Sequence, residues 1–213
     1  MQNKVVVITG ASRGIGLATA NEFLKKGYRV VGTSTTGNSS TYKLDLSSEQ
    51  SIESFVRQLN EENIRIDFLI NNAAIMIDQK ETSVDIKKLT QTLNVNLIGT
   101  ISLTEKLLSI FNDGGAIVNL SSELGSLLQN MPNKSYAYRI SKTAINMYTL
   151  TLSQRLEGKG IRVYSFAPGW VKTDMGTMNA LREPHEPARE IVTLCESNNR
   201  SGLFYEKDSV RAW

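Results

Sequence analysis

The chain opens with a pattern that leaves few folds available to it. The apolar run VVVIT at 5–9 leads at once into TGASRGIG at 9–16, and a segment of helical periodicity follows. A short apolar run bounded by glycine reads as a buried strand. Ile15, Leu17, Ala18, Phe23 and Leu24 then make one apolar helix face, with Gly27 as its stop. YRVVGTS supplies a second strand, and strand, turn, helix and strand together form a βαβ unit, whose sheet is parallel and covered on both faces.

The alternation continues down the chain. TYKLDL at 41–46 makes strand three, and a helix from SSEQ begins with Ser47 and Gln50 spaced as a capping box. IDFLINNAA makes strand four, and a helical region runs from Ile86 to Phe111 up to the DGG turn before AIVNLSS, strand five. A helix from YAYRISK to EGKG, strand six in RVYSFAPG, a helix over 188–197 and a short GLFYE strand complete the order. The expected architecture is one doubly wound α/β Rossmann domain spanning 1–213, with a parallel sheet of about seven strands and helices on both faces. Only about ten residues separate strands two and three, too few for a full crossover helix, so one helix is expected to be missing or vestigial.

Composition removes several function classes. The single cysteine, Cys195, forms no internal disulfide, and no Cys/His spacing suits zinc, so a reducing compartment is expected and no metal site. The one histidine, His185, sits between prolines in EPHEP and reads as a surface loop residue. With 24 basic and 21 acidic residues interspersed, the net charge of +3 makes no basic face for nucleic acid. The first apolar run is too short for a signal peptide or a membrane span, so the expected protein is soluble, cytoplasmic and without membrane or nucleic-acid partners.

Gly10, Gly14 and Gly16 lie where the chain turns from strand to helix and approaches a ligand closely. Backbone amides there, with Ser12 and Ile15, face the positive end of the helix dipole and suit a dinucleotide pyrophosphate. The ribose-reading window GTSTTGNSS contains no Asp or Glu, whereas Arg13 in the glycine loop offers a fixed guanidinium and Ser34 and Thr35 offer hydroxyls. NADP(H) is therefore expected over NAD(H).

A tyrosine is a phenolate only about once in a thousand at neutral pH, yet YAYRISK places Tyr138 four residues before Lys142, on the same helix face. Tyr136 falls on another face and reads as structural or as part of the substrate entrance. With these motifs the chain resembles the short-chain dehydrogenase/reductases: TGASRGIG matches TGxxxGxG and YRISK matches YxxxK, and the matches span about 165 residues in family order. The resemblance implies that Asp45 and Leu46 border adenine and that NNAA supplies Asn72 and Ala73 to the cofactor, with Ala74 departing from the family's glycine. It further implies that Pro168, Gly169, Val171 and Thr173 of PGWVKT hold the nicotinamide side. It also implies catalytic roles for Ser122, preferred over Ser121, for Tyr138 and Lys142, and for Asn96 as the holder of a relay water. Lys142 and the oxidised nicotinamide would pull the Tyr138 pKa toward neutrality, making it a general acid and base for a carbonyl or alcohol, with Ser122 steadying the oxygen.

Within the family, PGWVKTDMG and the closing tryptophan resemble the short carbonyl reductases related to C-factor and sniffer proteins, while TGASRGIG and GTSTTGN resemble 3-oxoacyl-carrier-protein reductases. The resemblance implies a homodimer or homotetramer packed through the helices at 86–111 and 138–157. The lid DMGTMNALREPHEP is short, so an open or shallow pocket is expected, with Met175, Met178 and Leu181 giving it an apolar wall. A catalytically silent NADP(H) sensor acting through a partner is the alternative reading.

Overall fold

Val5 to Ile8 are all buried because the strand they form, β1 (Val5–Ile8), has a core on each side: Val5 and Val7 enter one, Val6 and Ile8 the other. The computed structural model describes residues 4–128 and 133–213; Met1–Asn3, which open the expected domain, lie outside the described residues. Helix α1 (Gly14–Lys25) leads to β2 (Arg29–Ser34) and then β3 (Tyr42–Lys43), and α2 (Glu49–Glu61) leads to β4 (Ile66–Asn71). Helix α3 (Ile86–Leu93) passes through a π-helical turn at Asn94–Gly99 into α4 (Thr100–Leu107) and a 3-10 turn before β5 (Phe111–Leu120). Helix α5 (Tyr136–Leu156), β6 (Arg162–Phe166), α6 (His185–Glu196), β7 (Leu203–Glu206) and β8 (Ser209–Arg211) follow.

Among the described residues these strands form one eight-stranded sheet in the order β3-β2-β1-β4-β5-β6-β7-β8. It is parallel from β3 to β7, and β8 returns antiparallel along the edge. Helices α2, α4 and α5 pack one face through Phe55, Leu107 and Leu152, while α1 and α6 share the other through Phe23 and Ile191. A buried polar ladder crosses the first of these cores: Asn71 Nδ2 donates to Asn119 Oδ1 at 2.8 Å and to Thr104 Oγ1 at 2.9 Å, and Asn119 Nδ2 donates to Thr149 Oγ1 at 2.9 Å. Each pair joins two elements, so a register slip would strand buried polar groups.

Several sequence expectations change at this level. The doubly wound architecture holds, with one more strand than expected because SVR turns back on β7. Helix α1 buries Gly16, Thr19, Ala20 and Phe23, while Leu17 and Leu24 are exposed; close approach to the sheet favours small residues on the inner face. Ser48, not Ser47, caps α2: its hydroxyl accepts from Ser51 N at 3.2 Å, while Ser47 donates to Asp45 Oδ1. His185 is exposed as expected but begins α6 instead of lying in a loop. The connection between β2 and β3 holds no helix; Asn38 and Thr41 close it with an isolated bridge.

Candidate active site

The carboxyl ends of the parallel strands open into a cleft of about 1460 Å³. Every residue singled out from the sequence for catalysis or cofactor binding lines it except Gly16 and Asn96. Gly16 is packed instead against the glycine turn, where a Cβ would lie 2.2 Å from Gly10 O and 2.6 Å from Asn72 Nδ2. Gly10 and Gly14 carry φ of 67° and 56°, the left-handed region that glycine enters without strain. Asn72 buttresses this turn, its Nδ2 donating to Thr9 O at 2.8 Å and Gly10 O at 3.1 Å, while Thr9 Oγ1 accepts from the amides of Asn72 and Ala73. The loop is thus held open from below, with its amides at the start of α1. That is a cradle suited to a pyrophosphate.

Around the cradle, Arg13 is highly exposed and pairs with Asp174 at 3.1 Å. Thr35 is exposed, but Ser34 Oγ is committed to the short connection, contacting Thr41 Oγ1 at 2.9 Å and accepting from Gly37 N at 3.0 Å. Asp45 accepts from the amide and hydroxyl of Ser47, which hold its carboxyl below the usual range.

The other end of the cleft carries the acid–base candidates. Tyr138 and Lys142, one helical turn apart on α5, are both buried, with Lys142 Nζ 5.5 Å from the phenol ring centroid and donating to Leu120 O at 2.6 Å. Ser122, two residues beyond β5, lies beside the Tyr138 hydroxyl, and its own Oγ accepts from Leu124 N at 3.2 Å. Ser121 turns away, reaching Lys142 O at 3.4 Å. Burial pushes the Tyr138 phenol up to about 12, and the neighbouring Ser122 hydroxyl opposes this only in part. Burial also lowers Lys142 to about 8. The cause is shared, since a water-poor pocket disfavours both charged forms.

Asn96 lies in the π-turn, buried, with its side chain fully engaged. Its Oδ1 accepts from Ile75 N at 2.8 Å, and its Nδ2 donates to Ile75 O at 2.9 Å and Ser141 Oγ at 3.1 Å. Tyr136 does not line the cleft.

Sequence reasoning missed several residues that shape the site. Arg182 pairs its backbone with 170–172 and reaches across to Pro168 O at 2.7 Å, with its guanidinium also paired to Glu190 on α6. It ties PGWVKT to α6, and neither its type nor its spacing announces this. Removing its charge in Arg182→Met strands the largely buried Glu190 carboxylate and is expected to cost about 3 kcal/mol. Urea denaturation measures that loss. Trp170, Met76 and Leu124 also face the cleft.

The family profile described as short chain dehydrogenase matches residues 4–183. The chain belongs to the short-chain dehydrogenase family. This short-chain dehydrogenase is 33% identical to human "Retinol dehydrogenase 11" over 82% of the chain, and spans 63% of that relative's length. Its fold superposes on "Carbonyl reductase Sniffer of D. melanogaster" with a TM-score of 0.87 at 27% identity, covering 100% of each chain. It superposes on the NADPH-bound carbonyl reductase from chicken fatty liver with a TM-score of 0.88 at 25% identity, again covering 100% of each. The short-chain dehydrogenase is accordingly an oxidoreductase acting on a CH-OH or C=O group. Among its described residues no helix is long and apolar enough to cross a membrane.

Proposed function

We propose that residues 1–213 act as one NADPH-dependent carbonyl reductase unit, with Tyr138 as its general acid. The observation that carries this reading is the convergence of Ser122, Tyr138 and Lys142 on one end of the cleft whose other end is the glycine cradle. When bound, the cofactor supplies a hydride. Tyr138 gives its proton to the carbonyl oxygen, Ser122 donates a hydrogen bond to that oxygen, and the Lys142 ammonium steadies the phenolate left behind. The Asn96 carbonyl holds a water through which Lys142 recovers a proton from solvent.

The glycine-loop amides with Ser12 and Ile15 take the pyrophosphate. Arg13 and Thr35 take the 2′-phosphate, and Asp45 and Leu46 border the adenine. Lys142 binds the nicotinamide ribose, while 168–173 faces the ring. An exposed Arg13 on the rim and no carboxylate in the β2 window support NADP(H) over NAD(H). Arg13→Ala is expected to weaken NADPH binding about 10- to 100-fold, the worth of charge-assisted hydrogen bonds, and to leave NADH unchanged. Fluorescence titration with both cofactors checks this.

The single buried Cys195 fits a reducing, cytoplasmic compartment. Ile98 and Met147, exposed on the π-turn and α5, support packing of two or four copies through these helices. A screen of small aldehydes, diketones and β-ketoacyl thioesters, followed by NADPH absorbance, tests the function. Tight cofactor binding with no turnover across the panel would favour the silent sensor.

A further inference from the structure

The start of α5, two residues before Tyr138, lacks the cap that its own sequence should provide. Ser135 stands at the cap position but is left-handed at φ 59°, and its side chain makes no capping bond. Its hydroxyl turns to Gln79 O at 3.2 Å and its amide to Glu81 O at 3.1 Å. The acceptor comes from far along the chain: Asp78 Oδ2 takes the amide of Ala137 at 2.6 Å. Asp78 is buried at 4% exposure, and its Oδ1 has no partner among the described residues. The Asp78 side chain thus stands at the positive end of a helix dipole with one oxygen unsatisfied among the described residues.

The segment bearing Asp78 is pinned at both ends to the acid–base elements. Ile75 grips Asn96, which reaches Ser141 on α5, and three residues later Asp78 grips the amide beside Tyr138. We propose that Asp78 is a positioning residue: its carboxylate caps the catalytic helix from the loop after β4 and sets where the Tyr138 hydroxyl stands relative to Ser122. The inference rests on the general-acid reading of Tyr138.

The test compares Asp78→Ala, Asp78→Asn and Asp78→Glu in steady-state reduction of a carbonyl found active in the screen, with NADPH titration and circular dichroism alongside. The alanine variant is expected to lose about 10- to 100-fold in kcat, the cost of misplacing a reacting group by about an ångström, while its NADPH affinity stays within about twofold. Asparagine keeps an acceptor oxygen in place and is expected to restore most of kcat. Glutamate carries its acceptor one methylene too far, so kcat is expected to fall while the fold and NADPH affinity hold; this comparison decides the matter if the alanine variant does not fold. Wild-type kcat in the alanine or glutamate variant, an asparagine variant as impaired as alanine, or losses of kcat and NADPH affinity in equal proportion would overturn the proposal. A Tyr138→Phe control separates the two claims: full turnover there removes the general acid, whatever the Asp78 variants show.

Discussion

Tyr138→Phe is expected to reduce carbonyl turnover by at least about 1000-fold while leaving NADPH binding within about twofold, because a positioned general acid contributes roughly that factor and phenylalanine keeps the ring. The removed hydroxyl is the one that Ser122 contacts, in a pocket that pushes its pKa up to about 12. The phenol keeps its proton until the carbonyl oxygen takes it, and Lys142, 5.5 Å from the ring centroid, compensates the phenolate once it forms. Stopped-flow absorbance gives kcat, and titration gives the binding constant. A phenylalanine variant with substantial kcat would remove Tyr138 from the reaction.

The second large effect is on stability. Gly99 closes the π-turn against the strand-three segment, and an added Cβ would lie 1.9 Å from Leu46 O and 2.8 Å from Leu46 C. Both are backbone atoms, so no side chain can swing aside. Gly99→Ala is expected to cost about 3 kcal/mol, the upper range of overpacking, and to lower Tm by about 6–12 °C for a domain of this size. Gly158 is the control. Its Cβ direction is open, and its φ is not in the left-handed region, so alanine there is expected to be neutral or slightly stabilising. Calorimetry of the two variants side by side checks the contrast; equal melting temperatures would show that the contact at Leu46 relaxes freely.

Local periodicity and turn chemistry carried most of the fold. Continuous apolar runs such as VVVIT announced strands covered on both faces, and the short window after β2 announced the absent crossover helix. What escaped depends on tertiary partners. Leu17 and Leu24 fit a helical stripe, yet the sheet admits Thr19 and Ala20 more closely. The π-turn has no compositional signature, since NVNLIG is as compatible with an ordinary helix. Ser47 and Ser48 are equivalent as caps until Asp45 claims one of them. At the site, the glycine loop and the Tyr138–Lys142 spacing were legible because their chemistry is local. Asp78 and Arg182 were not, because each bonds a segment remote from it in sequence.

The strands beside the helix-free connection present little apolar surface to it. Lys43 is exposed and lies against Gly37, Gly32 leaves room only for the Ala11 methyl, and the hydroxyls of Ser34 and Thr41 are joined to each other. A helix grafted into 35–41 would land on lysine, glycine and satisfied hydroxyls. It would find no oily bed to rest on, so the graft would have to bring its own foundation, and the saving of residues at this margin is not reversed by insertion alone.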